Sequence, residues 1–193
     1  MDGDVPQSDK KLDVSAARLT KREAIIAAAN ALLDSEAIVD FDPIHFPLCP
    51  VDVVLIAGAP WLMDGLEKDF FKDESGYRKI GGGANTPSAP YFFRSVHNLV
   101  HFLKRQNLYY PRGSVSATAG MACFFDWDDR GRFNFAPDRS GIVTCTEQGR
   151  IREVVLPVRT AAGAEHTSYR VTRVRIEPED SFDRALIGYS DLP

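Results

Sequence analysis

Near Met121 the chain changes its periodicity, and that switch limits the folds open to it. Before this point apolar residues recur three and four apart; after it they alternate or gather in short runs. Ile25, Ile26, Ala29, Leu32 and Leu33 mark a helix over 21–35, with Thr20 and Glu23 spaced for a capping box. Val51 to Ala59 follows Pro50 as an apolar run, read as a buried helix over 50–59 because proline suits a first helical turn. Trp61 to Phe71 is amphipathic, and Pro60 either breaks the preceding helix or opens this one. Val96, Leu99, Val100 and Leu103 give one face to a helix over 95–105. Asp40-Phe41-Asp42-Pro43 is expected to form an extended turn, and Gly81 to Pro90 a mobile loop.

Beyond the switch, Met121–Trp127 is apolar and aromatic. Gly141–Thr146 and Ile151–Val158 flank Glu147-Gln148-Gly149-Arg150, a hairpin signal. Thr167–Ile176 sets Tyr169, Val171, Val174 and Ile176 against Arg170, Arg173 and Arg175. Helices first and strands later predict an α+β domain, with N-terminal helices packed on a C-terminal antiparallel sheet. The 193 residues can bury one good core. A single domain over 19–193 is expected behind a loosely attached leader, 1–18, with no internal repeat.

Net charge is -4, and a phosphate-backbone binder needs a surplus of Lys and Arg, so nucleic acid is not an expected partner. No apolar stretch has the length of a membrane span. Met1 to Leu12 lacks the basic start and apolar middle of a signal peptide. As it stands the chain is expected in the cytoplasm, or in the periplasm and envelope if an export signal has been removed. Cys49, Cys123 and Cys145 show no CxxC or Cys/His spacing, so neither a structural metal nor a cofactor is expected, and at most one disulfide could form.

Cys49 stands at the expected tip of the 50–59 helix. Unpaired N–H groups there can stabilise a thiolate, which makes Cys49 a candidate nucleophile. A buried small side chain is the competing reading of the same residue. Cys123 and Cys145 lie in strand-like apolar runs and are expected in the core. A base for Cys49 has to come from His45, His97, His101 or His166. His97 and His101 are four apart on one helix, a spacing that binds metal only when a third ligand is supplied, and no Glu follows His97. A solvated or core-edge pair is the expectation for them, and a surface position for His166. Gly81-Gly82-Gly83 lacks the Lys-Ser/Thr of a phosphate loop. Tyr91, Phe92 and Phe93, with Phe124, Phe125 and Trp127, are expected mostly in the core, with part of the cluster available to line a groove.

Four strings carry a family resemblance. They are Phe41-Asp42-Pro43; Asp52-Val53-Val54; Arg94-Ser95-Val96-His97-Asn98-Leu99 with Phe102 and Arg105; and Gly141-Ile142-Val143 after the strand ending in Asp126-Trp127. In order and spacing they resemble the YijF-like family of bacterial envelope proteins (domain of unknown function 1287), related to the NlpC-type papain-fold hydrolases of cell-wall peptides. The resemblance implies a papain-like α+β domain and a cleft formed by Asp52, Asp126, Trp127, Asp138, Arg139 and Ser140. It also implies a thiol nucleophile and a histidine base, and here the chain departs from the family. Pro50 and Val51 stand where the family has Cys-Thr before Asp-Val-Val. Arg139 stands where the family's His-Ile-Gly-Ile-Val has its His, and Val154-Val155-Leu156-Pro157 replaces a later His-Asn pair.

A guanidinium cannot accept a proton near neutrality. Arg139 either grips a carboxylate, such as Asp138, Asp126 or an acidic ligand, or is a surface residue in a turn. Three functions follow as expectations. The first is a non-catalytic relative of the cysteine amidases that binds a peptide, glycopeptide or protein in the inherited cleft. The second is a working thiol amidase or peptidase with Cys49 as nucleophile and His45 or His97 as base. The third is an interaction module that uses the aromatic surface.

Overall fold

A computed structural model describes residues 21–34, 39–41, 44–46, 49–58, 61–89, 91–127, 137–160 and 169–193. The expected leader 1–18, the Thr20 cap, the Asp42-Pro43 turn, Pro60 and His166 lie outside these residues.

The first helix, α1 (21–31), turns Ile25 and Ala29 into the core. It ends soon after at Asp34, a left-handed residue whose N–H donates to the Val171 carbonyl at 3.0 Å. Two short strands not foreseen from periodicity, β1 (Val39–Phe41) and β2 (Ile44–Phe46), pair antiparallel. Helices α2 (Asp52–Gly58), α3 (Trp61–Phe70) and α5 (Val96–Arg105) fall where apolar spacing placed them. Between the last two lies α4 (Glu74–Gly81), capped by Asp73 and short enough to escape a period-based reading.

The segment 82–89 was expected to be a mobile loop, but it is anchored. Asn85 and Asn98 exchange side-chain amide bonds of 2.8 Å in both directions, and both are buried. Asn85 also donates to the Tyr77 carbonyl and Asn98 to that of Phe92, so the loop is bolted to α4 and α5. Burying two amides is tolerable only with such pairing.

The strands form one antiparallel six-stranded sheet in the order β3-β8-β4-β5-β6-β7. They are β3 (Tyr109–Pro111), β4 (Ala122–Phe125), β5 (Arg139–Glu147), β6 (Arg150–Arg159), β7 (Tyr169–Arg175) and β8 (Leu186–Ser190). A five-residue helix, α6 (Ser181–Ala185), runs directly into β8. The β5–β6 hairpin turns through Gln148 and Gly149, both at positive φ (51 and 74), the conformation of a tight two-residue turn. Alternation along the strands gives the sheet two apolar faces. Ala122, Phe124, Ile142, Val155 and Val171 meet the helices α1–α5 on one face. Cys123, Phe125, Val143, Val154 and Leu156 belong to a second cluster on the other, with Ile176, Leu186 and Tyr189.

Cys145 corrects one expectation: it is exposed, not core. Register shifts on both sides of it, between Val143 and Thr146, interrupt the inward alternation of β5. Cys123 is buried. Among the described residues no helix is long and apolar enough to cross a membrane.

Candidate functional site

The apolar run that makes α2 contains one charge, Asp52, which is fully buried. A carboxylate there must be paired. Its Oδ2 accepts the Cys49 N–H at 2.7 Å, and its own N–H donates to the Cys49 carbonyl at 3.1 Å, closing the turn that leads into α2. Both its oxygens also meet the guanidinium of Arg94: Nε to Oδ1 at 3.0 Å and Nη2 to Oδ2 at 2.5 Å. The Arg94 side chain is only 6% exposed, so this is a bidentate ion pair away from water. Asp52 thus locks the Cys49 turn to the segment that enters α5.

The other wall is the start of β5. Ser140 donates its N–H to the Pro50 carbonyl at 3.1 Å, and its Oγ lies 3.3 Å from the same oxygen. Arg139, one residue earlier, is 8% exposed and holds its guanidinium carbon 5.4 Å from the centre of the Trp127 ring. A surface Arg in a turn is therefore not what the chain builds: Arg139 is a buried strand residue opposite Phe125. The Trp127 N–H donates to Asp138 Oδ1 at 2.8 Å, and the Trp127 ring packs on Phe182 at 4.7 Å. Asp126 is buried, its N–H bonded to the Ala185 carbonyl at 2.9 Å. Cys49, Asp52 and Ser140 are thus linked along the seam where α2 meets β5, while Arg139 and Trp127, in line with Phe125, lie toward the other face of the sheet.

Two of the histidines lie on α5. His97 is exposed in the first turn of α5. His101 Nε2 lies 2.9 Å from Asp73 Oδ2 in a separate network with Asp69, Tyr77 and Arg105 along the later half of that helix. His45 is on β2, in register with Asp40. Burial pushes the Cys49 thiol up in pKa, the Asp52 carboxylate pushes it further, and Arg94 offsets only part. That is the reverse of what a thiolate nucleophile needs. Burial does the same to Cys123.

Arg94 is the member of the seam that sequence reasoning did not place there. The available signal was Asp52 itself: a charge inside an apolar run demands a cation, and Arg94 stands just before α5. A cavity of about 630 Å³ is elsewhere, on the sheet face away from α2, between Arg112–Ser116, the β5–β6 turn and Ile176–Asp183. The chain matches no family model, no curated protein and no solved structure.

Proposed function

We propose that this chain is a non-catalytic domain of papain-like type, akin to the NlpC-type cell-wall amidases, that binds a peptide, glycopeptide or protein at the α2–β5 seam. The layout supports this reading: a cysteine at the tip of a helix packed against the first residues of an antiparallel strand. The single observation that carries it is a thiol raised in pKa by burial and by Asp52, on a turn whose bonded neighbour in β5 is Ser140, a hydroxyl that cannot serve as its base near neutrality. A nucleophile needs its base within hydrogen-bond reach, and here the strand bonded to the Cys49–Pro50 turn offers the Ser140 hydroxyl, while the Arg139 guanidinium lies on the sheet's other face. Arg139, stacked on Trp127, is chemically suited to an acidic group of a ligand.

Thiol-directed alkylation followed by intact mass and peptide mapping tests this across the three cysteines. A thiol with raised pKa reacts only as pH climbs, because the thiolate is the reacting form. Cys49 is expected to label more slowly than the exposed Cys145 at neutral pH and to gain rate steeply in alkali. Preferential labelling of Cys49 below neutrality would overturn the proposal in favour of a working thiol hydrolase.

A further inference from the structure

On the sheet face away from the helices, the cavity of about 630 Å³ has a size ordinary for small-molecule sites. Its floor is apolar: Ile151, Ile176, Leu186 and Tyr189 belong to the second core cluster. Its rim is charged, and most of that charge is already matched. Arg112 pairs with Asp183, Nη2 to Oδ1 at 2.9 Å, and its other terminal nitrogen donates to the Asp183 carbonyl. Arg152 is taken by Glu147 at 2.8 Å and Glu177 at 3.6 Å. Two lining groups of opposite sign are left, Arg150 and Glu179, and no side-chain ion pair or hydrogen bond joins either to any described residue.

The backbone holds both in costly or closely fitted positions. Glu179 follows Pro178 in a turn closed by Asp180 N–H to the Glu177 carbonyl at 3.2 Å, and its φ is 66. That place in such a turn favours glycine, yet the chain puts a carboxylate there. The Glu179 N–H is fastened to Asp183 Oδ2 at 3.0 Å, which fixes where the strained residue sits. Arg150 leaves the tight turn at Gly149, where an added Cβ would stand 2.8 Å from Ser116 Oγ, so the turn is pressed against the cavity's other wall. Ala117 N–H to the Gly149 carbonyl, 3.0 Å, clasps the two. Strain concentrated at a cavity rim is a mark of a binding site.

We propose that this cavity binds a zwitterionic α-amino acid or short peptide with an apolar side chain. The ligand's carboxylate meets Arg150, its ammonium meets Glu179, and its side chain lies on Ile151, Ile176 and Leu186. The site lies on the sheet face away from α2 and does not depend on that reading.

The test is an amide-resolved NMR titration of the full chain with alanyl-leucine, leucine, N-acetyl-alanyl-leucine and alanyl-leucinamide. Saturable shifts at Gly149, Arg150 and Glu179 are expected with alanyl-leucine or leucine, and the better of these two identifies peptide or free amino acid as the natural form. Arg150→Gln is expected to weaken binding about tenfold or more and to abolish the preference for free acid over amide. Glu179→Gln is expected to abolish the preference for free amine over its acetylated form. Both variants report their own folding in the same spectra. The proposal fails if neither zwitterion gives a saturable response. It fails equally if affinity is unchanged in both folded variants.

Discussion

Asp52 and Arg94 make a bidentate pair whose side chains are almost wholly out of water. Such a pair is held as a unit: each charge is tolerable only because of the other. Replacing Arg94 with Met strands a buried carboxylate that also caps the Cys49 turn. Arg94→Met is expected to cost about 3–5 kcal/mol in urea unfolding. The double variant Asp52→Leu, Arg94→Met should recover much of that loss, since no charge is left buried. Residue-scale legibility followed the same logic. Asp52 announced itself by interrupting an apolar run. Its partner, 42 residues away, did not, because no local period connects them. Arg139 looked equally at home in a turn or a cleft; only the β4–β5 register, which sets it opposite Phe125, buries it beside Trp127.

At the scale of elements, α3, α4 and α5 are tied by one polar network. Arg105 reaches Asp69 at 2.8 Å and Asp73 at 3.2 Å, and Tyr77 donates to Asp69 at 2.9 Å. Asp73 caps α4 and pairs with His101. The bond from His101 chiefly, then the Gly76 N–H and the Arg105 charge, hold the Asp73 carboxyl below its ordinary pKa, against the opposing effect of burial. A depressed carboxylate binds fewer protons folded than unfolded. Its contribution is therefore present above the unfolded value, about 4, and disappears as pH falls through the folded value. Asp73→Asn should lower the melting temperature at pH 6, and the gap from the unmodified chain should close as pH drops below about 4. Long helices such as α3 and α5 were legible because ten residues give nearly three turns of period. The eight residues of α4 and the five of α6 give too few, and the strands β1, β2 and β3, three residues each, give no alternation to read.

For the whole molecule, the decisive element is β8, which sequence order hides. It is the last strand in the chain, yet it lies second in the sheet, with β3 on one side and β4 on the other. Alternation alone could assign it a type but not a place, because its partners are set by contacts some eighty residues apart for β3 and Tyr189 (Tyr110 pairs with Tyr189) and by the bulge opposite Phe124 and Phe125. Both faces depend on it. Leu186 and Tyr189 enter the second cluster, Ile187 packs on the helical side, and Leu192 beyond it enters the main core. Gly188 has no room for a side chain: an added Cβ would stand 2.7 Å from the Tyr110 carbonyl oxygen, which is backbone and cannot swing aside. Removing residues 186–193 leaves β3 without its described partner and strips one edge of β4 bare, while uncovering apolar area on both faces of the sheet. An interior strand lost in this way leaves its neighbours' N–H and carbonyl groups without strand partners, a row open to pairing with another chain. The truncated chain is expected to lose its cooperative thermal transition and to self-associate through the exposed β4 edge. Gly188→Ala, a milder form of the same insult, should keep the transition but lower its midpoint by several degrees. Calorimetry with sedimentation on the three chains separates these outcomes, and a cooperative, monomeric truncated chain would show that β8 is not the keystone its position in the sheet implies.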